Sequence, residues 1–200
     1  MSDATALGGL VGRIVAVHEQ LDAMGVVHQF GGAIALAWYR SPRATIDVDL
    51  NITLEPERSA PVLGALELLG VSVTASDRRA VEADGQVRLD WSGALLDLFF
   101  ATLPLHEEMA ERAREVRFGP TTIPILSPED LIICKAIFDR PKDWIDIDAI
   151  VDWGTQVDAT VVLDWIERIL GDDSGAYVRA KALLSPGEPS APGGALVAEG

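Results

Sequence analysis

Asp47 and Asp49 stand two residues apart in the stretch Ile46-Asp47-Val48-Asp49-Leu50-Asn51-Ile52. In an extended strand alternate residues share a face, so the two side chains project side by side about 6 to 7 Å apart at the backbone. From there their carboxylates can converge on a pair of metal ions about 4 Å apart. Magnesium takes carboxylate, water and phosphate oxygens in octahedral geometry, so two or three acids and a triphosphate supply what it needs. An Asp-x-Asp by itself is more often the solvated face of an antiparallel sheet. Its context here differs, because Gly31-Gly32 lies just upstream at what reads as a strand-to-helix turn. Glycines at such a turn let backbone N–H groups approach a phosphate, and the following helix start favours an anion. In this order the residues describe a triphosphate cradle facing a metal site.

The elements that must position these residues follow from hydrophobic period and turn chemistry. Leu10, Val11, Ile14, Val17, Leu21 and Met24 recur at helical spacing, and Gly25 ends that helix. Residues 26–30 read as a strand, 33–39 as a helix, and 46–52 as a strand with an acidic face. A helix over 57–69 precedes a short strand over 71–75, and the polar run 76–86 reads as loop. Strands are expected over 87–91 and 94–100, a charged helix over 105–115 and a small hairpin over 116–125. Ser127-Pro128-Glu129-Asp130 is a helix start, with Ser127 as cap, Pro128 in the first turn and acids complementing the dipole. Pro141 interrupts that helix, and further helices are expected over 143–153, 159–170 and 174–184. Residues 185–200, rich in Pro, Gly and Ser, have the composition of a flexible tail.

Composition narrows the chemistry. Two hundred residues with 48% hydrophobic content can bury a real core. One cysteine, Cys134, and three scattered histidines, His18, His28 and His106, leave neither a disulfide framework nor a Cys/His zinc cluster, so any metal must be oxygen-ligated. His18-Glu19 and His106-Glu107 begin like a zinc protease motif, but Asp22 and Ala110 stand where the second histidine should be. No apolar run approaches the roughly 20 residues of a membrane span, and no signal-like N-terminus is evident. A cytoplasmic protein with no membrane partner is therefore expected. The net charge of −15 repels polyanions at long range. Local basic clusters at 40–43, 78–88, 112–117 and 135–142 leave room for a basic groove, although Arg112, Arg114 and Arg117, alternating with Glu111 and Glu115, read as a solvated helix face.

The stretch from Gly31-Gly32 to Asp47-Val48-Asp49-Leu50 resembles the signature of the polymerase β nucleotidyltransferase superfamily. Within it, Arg43-Ala44-Thr45-Ile46-Asp47-Val48-Asp49 and the later Leu126-Ser127-Pro128-Glu129-Asp130-Leu131 are similar to the AbiEii and MenT type of bacterial toxin nucleotidyltransferases. The second block continues through Lys135, Arg140, Lys142-Asp143 and Asp146, resembling that family's Lys, then Arg, then Lys-Asp-x-x-Asp pattern. The resemblance covers about residues 26–152.

The resemblance implies an α/β (α+β) fold: a nucleotidyltransferase core of a mixed sheet with flanking helices over 1–125, and a helical C-terminal part over 126–184 that completes the nucleotide site. It implies a third acid on a neighbouring strand. Asp97 is the leading candidate, since an isolated acid in the apolar strand Leu95-Leu96-Asp97-Leu98-Phe99 is costly unless paired or metal-bound. Asp90 is its rival, and a salt bridge from Asp97 to Arg88 is the bland alternative. Lys135 shares a helical face with Leu131 and Phe138, where a lysine either snorkels to solvent or delivers its charge into a site. The resemblance places a triphosphate-binding lysine there, has Asp146 orient it, and brings Arg140 and Lys142 to nucleotide or acceptor. The wider superfamily often has serine after the first glycine. Here that residue is Gly32, so a contact to the terminal phosphate is expected from backbone, Ser41 or Thr45.

The function so implied is transfer of a nucleoside monophosphate from a nucleoside triphosphate to an acceptor hydroxyl, with Mg2+ or Mn2+ held by Asp47, Asp49 and Asp97. Similarity to MenT-type enzymes points to a tRNA 3′ end as acceptor and a cognate antitoxin as partner. The alternatives are transfer to a small molecule, as in the aminoglycoside and lincosamide resistance enzymes, and a non-catalytic nucleotide-binding module.

Overall fold

The computed structural model of the chain describes residues 9–41 and 45–185. The tail assigned to 185–200 falls almost wholly outside them, as does Arg43. The sheet is built of β1 (His28–Phe30), β2 (Asp47–Ile52), β3 (Gln86–Trp91), β4 (Ala94–Phe100), β5 (Arg114–Phe118) and β6 (Thr121–Ile125), in the spatial order β3-β4-β2-β1-β6-β5. Two pairings, β2 with β4 and β1 with β6, are parallel and the rest antiparallel, which makes the sheet mixed, as expected. Helices α1 (Gly9–Ala23), α2 (Gly32–Leu36), α3 (Ala60–Leu68), α4 (Ala75–Asp84) and α5 (Leu105–Arg112) flank or connect the strands. Four more, α6 (Pro128–Phe138), α7 (Pro141–Asp152), α8 (Ala159–Leu170) and α9 (Gly175–Leu184), follow the last strand and pack on one another.

The core sits where apolar strand faces meet helices. Val48, Leu50, Ile52, Leu96 and Leu98 are fully buried on β2 and β4, against Ile14, Leu21 and Leu63 among others. Fully burying one such side chain contributes about 1.5 to 3 kcal/mol. The alternation read along β2 is therefore the difference between a packed face and one that borders the site.

Three expectations need correction. Residues 76–86 are mostly helix rather than loop. Only Val81 of α4 is buried, so no apolar period announces it, and the helix is set instead by its ends. Thr74 and Asp77 form a reciprocal capping box, and Gly85 closes the helix at φ 68°. Residues 71–75 are not a strand, since only Ser72 forms a bridge, to Asp90. The charged helix expected over 105–115 ends at Arg112, and Arg114 and Arg117 belong to β5. Arg112 is no solvated charge either. It pairs with Glu108 and with the fully buried Asp130 at 2.7 Å, which anchors α5 to the start of α6. That start is as read: the Ser127 hydroxyl accepts from the Asp130 N–H and donates to its carboxylate.

Candidate active site

β2 and β4 run parallel in a register that sets Asp49 directly opposite Asp97. Neighbouring strands lie about 4.8 Å apart, so the third acid stands beside the first two on the same sheet face. Asp90 lies elsewhere: it is exposed near the end of β3 and accepts from the Ser92 N–H in the β3–β4 turn. The three carboxylates and Lys135 line one cleft of about 720 Å3.

Crowded acids in a partly buried place resist ionisation. Burial first, then the neighbouring Asp97 and Asp47 charges, push the Asp49 carboxyl up to about 6 from 3.8, against the opposing pull of Lys135. Asp97 is 9% exposed and takes two hydrogen bonds from Arg88, Nε to Oδ1 and Nη2 to Oδ2, both 2.7 Å. The salt bridge weighed for Asp97 thus exists, and it lies within the cleft itself. Among the described residues no three acidic, histidine or cysteine side chains are gathered closely enough to enclose an ion. Asp47, Asp49 and Asp97 offer only oxygen donors, the kind a hard divalent cation takes, and a cation there would oppose the burial and repulsion that lift Asp49, but both oxygens of Asp97 are held by Arg88.

Gly32 sits at φ 49° at the start of α2, and a β-carbon there would overlap the Asp49 carboxylate. Glycine is thus required twice, by backbone conformation and by space. Gly31 N–H donates to the Asp49 carbonyl at 2.9 Å, which ties this turn to β2. Gly32 and Ala33 line the cleft with first-turn N–H groups that no intrahelical carbonyl can satisfy. Thr45 also lines it, but its hydroxyl is engaged with the Asp47 backbone; Ser41 does not line it.

Lys135 does not snorkel. It is 7% exposed, and its Nζ donates to Asp146 Oδ2 at 2.7 Å with Asp143 Oδ1 at 3.6 Å. Pro128 and Ser127 fix where α6 begins and hence which face carries Lys135, while Pro141 in the first turn of α7 fixes Asp143 and Asp146. Asp143 was part of the quoted pattern without a role. Burial would raise its carboxyl, but the Arg140 hydrogen bonds and the Lys135 and Arg140 charges outweigh that and hold it low. Arg40 approaches the other oxygen of Asp146 at 3.6 Å, and its Nε is buried without a partner among the described residues. Arg140 lies over the Phe138 ring at 4.7 Å, and exposed Lys142 lines the same cleft. Cations for an anion and carboxylates for a cation thus face one another across a single opening.

The family model for the nucleotidyl transferase AbiEii toxin, type IV toxin–antitoxin system, matches residues 29–190. No curated protein is significantly similar in sequence. Among solved structures, the solution structure of the antibiotic-resistance factor ANT(2'')-Ia is similar with a TM-score of 0.57 at 19% identity, covering 84% of this chain and 92% of that one. ANT(2'')-Ia in complex with adenylyl-2''-tobramycin gives 0.52 at 18% identity, covering 86% and 95%. The lincosamide antibiotic adenylyltransferase LnuA, lincomycin-bound, gives 0.50 at 14% identity, covering 74% and 99%. At such identities the likeness speaks for the fold.

Proposed function

The chain belongs to the AbiEii nucleotidyl transferase toxin family, and from that premise we propose that it moves a nucleoside monophosphate from a nucleoside triphosphate to an acceptor hydroxyl with the help of divalent metal. The observation that carries this reading is the register of Asp49 against Asp97, with buried Lys135 lining the same cleft. Asp47, Asp49 and Asp97 would hold magnesium or manganese. When bound, the metal activates the attacking oxygen and neutralises the departing pyrophosphate. The acceptor hydroxyl gives up its proton to solvent, its oxygen forms a bond to the α-phosphorus, the bond from that phosphorus to the bridging oxygen breaks, and pyrophosphate leaves. Gly32 and Ala33 bring backbone N–H groups to the triphosphate, while Gly31, whose N–H is held by the Asp49 carbonyl and which does not line the cleft, shapes the turn. Lys135, oriented by Asp146, balances its charge, and Arg140 and Lys142 meet nucleotide or acceptor at the rim. In this account residues 1–125 form the core and 126–184 complete the nucleotide site.

The acceptor favoured by membership of a toxin family is a tRNA 3′ end, with a cognate antitoxin restraining the enzyme in the cytoplasm. The described residues contain no helix long and apolar enough to cross a membrane. A second reading, a small cationic acceptor, is supported by the net charge of −15 and by a cleft lined by six aspartates against five lysines and arginines. Labelled nucleoside triphosphates incubated with the protein and total tRNA test the proposal. The expected result is covalent label on RNA that is abolished by chelation and by Asp47→Ala. Label on neither RNA nor a panel of small hydroxyl-bearing acceptors would leave the non-catalytic, nucleotide-binding alternative.

A further inference from the structure

A second cavity of about 190 Å3 opens from the cleft beside Asp49 and Lys135, which line both. It runs inward between β2, β4, α5 and α6, and its walls include Leu103, Met109, Leu131 and Ile137. Its volume is below the roughly 300–1,000 Å3 of a pocket that takes a whole drug-sized ligand. It suits one flat ring system attached to something left outside. Phe99 and Phe138 stand at the shared rim with ring centroids 5.9 Å apart.

Asn51 is the unexpected feature of this cavity. It shares the strand face of Asp47 and Asp49, is 6% exposed and lines the cavity. Its carboxamide makes no hydrogen bond with any described residue and is not among their fully enclosed unpaired atoms, so its donor and acceptor open into the cavity. Space is kept for it, since a β-carbon on Gly31 would come within 3.1 Å of Nδ2. His106 lines the cavity too, and burial holds its imidazole neutral. Its Nδ1 is 3.1 Å from the Leu103 carbonyl, which can only accept, so Nε2 is left as an acceptor.

We propose that this cavity is the base subsite of the donor nucleotide, with the Asn51 carboxamide pairing with the polar edge of the heterocycle. The inference rests on the nucleotidyltransferase reading and extends it to specificity. A carboxamide offers a donor and an acceptor in one plane, and a nucleobase edge can satisfy both, whereas an ionised phosphate only accepts. The apolar walls disfavour a cationic occupant. The mouth at Asp49 and Lys135 leaves the triphosphate of the same molecule in the charged cleft, which is why the base is assigned to the donor rather than to the end of an RNA acceptor.

Binding of the four nucleoside triphosphates, of inorganic tripolyphosphate and of a short single-stranded RNA to the full chain with magnesium tests this, in wild type, Asn51→Leu and Leu103→Trp. Leu103 is 43% exposed, so its tryptophan variant fills the cavity from the rim without disturbing the core, which covers the case in which Asn51→Leu misfolds. Wild type should prefer one base. Both variants should erase that preference, a loss of about fivefold to tenfold for the preferred nucleotide, and leave tripolyphosphate binding unchanged. An unaltered base preference, a parallel loss for tripolyphosphate, or a loss confined to RNA would each overturn the assignment. Tripolyphosphate binding without any base preference sinks this inference alone. Absence of both nucleotide and tripolyphosphate binding sinks the transferase reading and this one with it.

Discussion

Arg88 grips Asp97 with a two-pronged hydrogen bond at the one carboxylate that stands opposite Asp49 across β2 and β4. A guanidinium there satisfies the carboxylate in the absence of metal and repels an arriving divalent ion. Arg88→Met should therefore bind manganese several-fold more tightly and melt at a lower temperature when metal-free. Titration followed by electron paramagnetic resonance, with calorimetry in chelator, reads both. Manganese affinity that stays level or falls would show that Arg88 does not compete with metal.

The raised carboxyl of Asp49 makes metal-free stability depend on pH with a definite sign. Its folded value is about 6 against 3.8 for the free side chain, so between these the folded state holds the extra proton. Stability from this group is then present below about pH 4 and is lost as pH rises through 6. Asp49→Asn should flatten that decline, and magnesium should offset it at pH 7. Melting temperatures in chelator and in magnesium across pH 4 to 7 decide the matter; identical slopes for wild type and Asp49→Asn would refute it.

Gly32→Ala should be far more damaging than an exposed glycine substitution. The new methyl would meet Asp49 and occupy a φ of 49°, so the turn must shift where acids and backbone N–H groups meet. Left-handed strain alone costs about 1 to 3 kcal/mol. We expect transferase activity to fall by at least about a hundredfold, while Gly64→Ala in α3, where a β-carbon meets nothing within 4 Å, leaves it intact. Equal activities would remove the turn from the site.

Lys135→Ala should weaken triphosphate binding by roughly ten- to a hundredfold, the loss of a charge-assisted contact of about 1.5 to 3 kcal/mol. Lys135→Arg should rescue only part, because a planar fork does not fit the enclosed place between Asp143 and Asp146. The buried pair also holds α6 to α7, so calorimetry must show that the variants fold. Nucleotide affinity unchanged in a folded Lys135→Ala would leave the lysine a structural tie.

Salt should separate the two acceptors. A tRNA acceptor approached through Arg40, Arg43, Arg140 or Lys142 gives a KM that rises steeply with ionic strength, because binding releases counterions condensed on the phosphates and that gain shrinks as bulk salt rises. A small acceptor gives a nearly flat profile. Steady-state kinetics over a salt series distinguish them, and a flat profile with RNA would argue against the basic contacts named here.

Much of the site was legible in the sequence because the signals are local. A period of two placed Asp47 and Asp49 on one strand face, Gly31-Gly32 marked a turn, and Ser127-Pro128 set the start of α6 and with it the face of Lys135. The capping box of α4 was equally local, but it was hidden because a helix burying only Val81 has no apolar period to read. Tertiary structure alone decided the rest. Whether Asp97 or Asp90 meets Asp49 depends on which strands pair and in what register, and alternation within one strand says nothing about its neighbour. The same holds for the Arg88 grip on Asp97, the enclosure of Lys135 between two acids of α7, and the buried amide of Asn51. Each joins side chains from separate elements, and only packing brings those together.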